Sequence, residues 1–146
     1  MIFQIVSAVL SVFFFTMLLE IPKRYAFYCS LVGGVNWWVY LIAMDVHNSS
    51  MLAAFFASLA VAFLSQVFAR LQKTPVNVFL VAGILPTVPG AAIYRSVYYF
   101  IHNNSNMCTY HLLQTLQIAG AIAMAIFIID SVFRMYQHYQ NRKASI

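Results

Sequence analysis

Inside one long apolar stretch, Pro86-Thr87-Val88-Pro89-Gly90 is followed closely by Tyr94 and Arg95. Each proline lacks an N–H donor and collides with the preceding helical turn, while Gly90 accepts backbone angles that other residues avoid. Together they predict two half-helices around an unwound link, with carbonyl and N–H groups left open. Where such a link lies in hydrocarbon it must be buried in protein or line a wet cavity, and the half-helix ends can then face a solute or ion. Arg95 stands six residues beyond Pro89. Its guanidinium fork suits a carboxylate, and the positive end of a half-helix starting near Gly90 would add to that pull. The chemistry read here is recognition of a small carboxylate-bearing solute. The plainer readings are a packing kink and an arginine that snorkels to the surface.

Other candidates are sparser. Asn36 brings a full amide to the middle of an apolar run, to be satisfied across a helix pair or by a solute. Tyr94, with Tyr98, Tyr99, Trp37 and Trp38, reads first as an interfacial belt and only second as part of a site. Asp45 and Asp130 are two of only three acidic residues and the candidates for ion coupling. Asp130 and Arg134 also have the i, i+4 spacing of an intrahelical salt bridge, and Asp45 could pair with Arg95. His47, His102 and His111 have no ligand spacing, and Cys29 and Cys108 form no motif, so no metal site, cofactor or disulfide is expected. Nor is there a nucleophile, base and orienting group at readable spacing, which argues against an enzyme and for no catalytic residue.

The elements that must position these residues follow from composition. Charged residues make up 8% of the 146, against roughly a quarter in ordinary globular domains, while 63% are hydrophobic. Mean hydropathy is +0.82. The apolar runs are long enough to cross a hydrocarbon core and show no strict alternation, so they predict an all-α integral membrane protein. The net charge of +5 does not predict nucleic-acid binding, because the basic residues form separate short groups between apolar runs.

Five crossings are expected, at about 2–19, 25–44, 51–69, 76–101 (broken) and 112–133, in one domain with a tail over 134–146. The initial run lacks a basic stretch before it and a cleavage signal after it, so it is read as retained. Lys23-Arg24, Arg70 with Lys73, and Arg134 with Arg142-Lys143 mark cytoplasmic ends, which puts the N-terminus outside and the C-terminus inside. A re-entrant hairpin at 76–101 would instead leave the basic tail outside, so a single broken crossing is favoured. Small residues from Ala53 to Ser65, and again around Ala119-Gly120-Ala121, suit close helix packing.

The block Pro86, Pro89, Gly90 and Tyr94 resembles the small subunit of the bacterial threonine/serine exporter family. Length, Pro22-Lys23-Arg24 after the first helix and Gly33-Gly34 in the second add to the likeness, whereas Arg95 has no assigned place in the family pattern. The resemblance implies a bacterial inner-membrane subunit exporting a small amino acid, with a larger membrane subunit as partner. Some relatives are linked to dicarboxylates such as succinate. Five short crossings with small-residue faces independently suggest a homo-oligomer or second subunit. A stabilising subunit that does not touch the solute is the competing expectation.

Overall fold

A computed structural model describes the backbone of residues 1–144 and the side chains of residues 1–139. Arg142 and Lys143, used above as topology signals, lie outside the described side chains. Among the described residues there are six α-helices: α1 (Ile2–Leu18), α2 (Lys23–His47), α3 (Ser50–Gln72), α4 (Asn77–Ile84), α5 (Gly90–Ile101) and α6 (Ser105–Ala144). No strand occurs among the described residues. Three helices, α2, α3 and α6, are long and apolar enough to cross a bilayer, and the bent segment Asn77–Ile101 can form a fourth span. α1 is a shorter apolar helix of 17 residues, about 26 Å long at 1.5 Å per residue.

Helices α1, α2, α3 and α4 form the bundle, and α6 packs along α3. Glycine brings α1 and α2 together: a Cβ at Gly33 would lie 2.5 Å from a methyl of Val12, and one at Gly34 would lie 2.5 Å from a methyl of Val9. On α3 the small residues anticipated from sequence, including Ala53, Ala57, Ser58 and Ala62, are buried. Phe79 of α4 is fully buried between Tyr25 of α2 and Phe68 of α3, and Cys29 packs in the same cluster with its Sγ 3.5 Å from the Val78 carbonyl. Both cysteines are free.

α6 begins and ends further out than its apolar run. The polar stretches on both sides read as loop and tail, yet the helix runs for 40 residues. Asn104 caps the backbone N–H of Met107 at 3.3 Å, and no proline stops the chain thereafter. Of its small residues, Ala121 and Ala125 are buried while Ala119, Gly120 and Ala123 face outward.

Arg24, Arg70 and Arg134 gather at one end of the bundle. Arg24 donates to the Gln72 side chain at 3.4 Å, the Arg70 guanidinium lies 4.6 Å from the Phe133 ring centre, and Arg134 pairs with Asp130 at 2.8 Å. At the opposite end the α2–α3 turn meets the first turns of α6 around Asn48, Ser49, Tyr110 and Gln114.

Candidate functional site

α4 starts at the basic end and runs parallel to α2, from the Cys29–Val78 contact up to Asn36 beside Gly83. There Pro86 removes the donor that would continue the helix. The chain tightens into a 3-10 turn at Leu85–Thr87, leaves it at Val88 in an extended conformation (ψ 131°) and restarts as α5 at Gly90. The two halves are bent by 54°. The link is therefore shorter and better ordered than an unwound loop.

Asn36 holds the break. Its Nδ2 donates to the Gly83 carbonyl at 2.7 Å and to Thr87 Oγ1 at 3.2 Å, and Thr87 Oγ1 donates to the Ile84 carbonyl at 2.9 Å. The side chain is completely buried, and its Oδ1 has no partner. A buried amide oxygen without a donor costs on the order of 1–3 kcal/mol. Gly83 is needed where it stands, because a Cβ there would lie 2.5 Å from Val32 Cγ1 and 3.0 Å from Val61 Cγ1.

Beside the break is an open, mostly apolar groove of about 660 Å³ between α1 and the interrupted segment. One wall is Leu85, Pro86, Val88 and Gly90, with Trp37 at its edge. The facing wall is α1, which presents Gln4, Ser7 and Ser11. These three polar residues sit at offsets of three and four, hence on one helical face, a signal in the sequence that identifies a polar stripe without identifying what it faces.

Of the residues singled out from sequence, Asn36, Pro86, Pro89 and Gly90 come together at the break, and Pro86 and Gly90 line the groove. Tyr94 and Arg95 do not line it. Among the described residues α5 packs on α6 and on no other helix, with Ser96 against Cys108 and Tyr99 stacked on His111 at 5.5 Å. Tyr94 is 69% exposed and stacks on Tyr98. Arg95 is exposed and has no hydrogen bond or ion pair among the described residues; Asp45 is likewise exposed and is not paired with it. Asp130 accepts from Gln66 of α3 at 3.2 Å as well as from Arg134 at 2.8 Å, tying α6 to α3. Thr87, Gly83, Gln4, Ser7 and Ser11 were not picked out from sequence. No group of three or more potential metal ligands occurs among the described residues.

An all-helical chain with several apolar spans, one interrupted by prolines and clamped by a buried asparagine, is a multi-pass protein of the cell membrane. The family model for "Threonine/Serine exporter, ThrE" matches residues 4–132, and the chain belongs to that family. A curated threonine/serine exporter from Corynebacterium glutamicum is 26% identical over 105 residues, covering 72% of this chain and 21% of that protein. The chain thus spans about a fifth of that relative's length. No solved structure matches.

Proposed function

We propose that this chain is a subunit of a secondary exporter of a small amino acid such as threonine or serine, with the broken segment lining the solute path. The observation that carries the reading is the junction of a proline-broken helix, held by Asn36, with a groove of about 660 Å³. Membership of the exporter family supports it. In such a path Pro86, Pro89 and Gly90 keep the backbone open, Asn36 fixes its shape, and Asp130 braces α6 against α3. Arg95 and Tyr94, on the face of α5 away from the bundle, would meet the solute at the path's outer mouth. Asp45, exposed at the same end, is the candidate there for ion coupling.

The gathering of Arg24, Arg70 and Arg134 at one end supports five crossings with the N-terminus outside and the C-terminus in the cytoplasm. A larger membrane subunit, or further copies of the chain, completes the transporter: α5 and α6 leave most of their apolar surface uncovered. That uncovered apolar surface equally suits one rival, a subunit that stabilises a larger transporter without touching the solute.

Amino-acid flux in proteoliposomes, with and without the partner, separates the two. As a path-lining subunit, the chain loses flux on Pro89→Ala and on Arg95→Gln while partner abundance stays constant. Unchanged flux in both variants, together with partner loss on deletion of the chain, assigns the stabilising role instead.

A further inference from the structure

We infer that the basic end of the bundle holds an anionic phospholipid, its phosphate between the start of α2 and the end of α3 and its acyl chains along the exposed face of α2.

One contact brings the two helix ends together: Arg24 Nη2 of α2 donates to Gln72 Oε1 of α3 at 3.4 Å. Lys23 precedes Arg24, and Lys73 follows Gln72, closing α3 with a left-handed backbone (φ 51°). Arg70 lies in the last turn of α3. All four cations are exposed, and none has an ion pair among the described residues. Glu20, the carboxylate of the α1–α2 turn, is exposed and pairs with none of them. Arg24 and Arg70 find only uncharged neighbours: the Gln72 amide, the Tyr25 ring at 5.6 Å and the Phe133 ring at 4.6 Å. Helix polarity does not compensate, because Lys23 and Arg24 open α2, where the macrodipole opposes a cation and no acidic residue stands in the first turn. The charge that this end lacks is an anion, and guanidinium and ammonium groups together suit a phosphate.

The surface next to the cations says which kind. Phe27 and Leu31 follow Arg24 by three and seven residues, which puts them on its face of α2, and both are exposed. Together they run about 10 Å from Arg24 along the helix. One turn in from the Arg24–Gln72 contact, the rings of Tyr28 and Phe68 meet at 5.4 Å across the same two helices. A soluble anion would meet the cations and leave the apolar face bare; a phospholipid meets both.

The test measures lipid retained by the purified full chain, by native mass spectrometry from neutral micelles, with phosphatidylglycerol and phosphatidylcholine of equal chain length as probes. Phosphatidylglycerol is expected to bind severalfold more. Arg24→Gln and Lys73→Gln each lower its binding about fivefold. Arg134→Gln, at the same end but already paired with Asp130, leaves it unchanged. Glycerol 3-phosphate at the lipid's concentration displaces none of it. Equal binding of the two lipids, or a loss on Arg134→Gln as large as on Arg24→Gln, overturns the site in favour of diffuse attraction to the leaflet. Displacement by glycerol 3-phosphate overturns it in favour of a soluble anion. Helical circular dichroism checks that each variant is folded, and Lys73→Gln, at an exposed position, decides if Arg24→Gln is not.

Discussion

A single methyl group at residue 83 reports on how the break is held. The Cβ of Gly83→Ala would lie 2.5 Å from Val32 Cγ1 and 3.0 Å from Val61 Cγ1, where carbon atoms in contact prefer about 3.5–4.0 Å. Both valines are fully buried, on α2 and on α3, so neither has free space to turn into. α4 must lift by about 1 Å to clear them. That lift stretches the 2.7 Å bond from Asn36 Nδ2 to the Gly83 carbonyl beyond hydrogen-bonding range. Overpacking costs about 1–3 kcal/mol, and loss of the bond adds about 1 kcal/mol. Replacing glycine inside a helix returns about 1 kcal/mol. Gly83→Ala is therefore expected to destabilise by about 1–3 kcal/mol. The assay is reversible unfolding in mixed micelles by added dodecyl sulfate, followed by helical circular dichroism. Gly90→Ala is the control, because its Cβ meets nothing within 4 Å. Val32→Ala removes the nearest methyl and should recover part of the loss in the double variant. Equal stability of Gly83→Ala and Gly90→Ala would refute the wedged packing of α4.

Three further outcomes follow from the same geometry. Asn36→Ala and Thr87→Val should be coupled by about 0.6 kcal/mol, up to about 1.7, in a double-mutant unfolding cycle; no coupling would mean that the amide does not clamp the break. Phe79→Ala should lower unfolding stability by about 3–5 kcal/mol, the largest single loss expected, because the ring is wholly enclosed. The Asp130–Arg134 pair is solvent-accessible, with side-chain exposures of 40% and 78%, so Asp130→Asn should cost under about 1 kcal/mol and leave flux within a few fold; abolished flux would make Asp130 part of the coupling machinery.

The helices could be read from the sequence because hydrocarbon thickness dictates run length, and the break because two prolines and a glycine leave the backbone few choices. The alternation of alanine and serine on α3 likewise announced its buried face. Helical periodicity tells which residues share a face and not which neighbour that face meets. Gln4, Ser7 and Ser11 therefore looked unremarkable until α1 was set opposite Pro86. Arg95 stands six residues beyond Pro89, and beyond the 54° bend it is exposed on α5 and outside the lining of the groove. The polar flanks of α6 concealed its true length, since charge patterning marks membrane boundaries and does not end a helix. For Asn36 the two alternatives were a helix-pair bond and a solute; the structure gives the first and leaves its oxygen unmatched.

The shortness of α4 bears on how the protein is assembled. Asn77–Thr87, helix and 3-10 turn together, reaches only about 16 Å, roughly half the hydrocarbon thickness, and it ends in backbone that lipid cannot satisfy. Such a segment has no stable place in the bilayer until α2 and α3 have paired, since those two helices supply the Asn36 amide and the slot that admits Gly83. Its place in the bilayer is consequently contingent: the α2–α3 hairpin supplies the seat in which α4 is held.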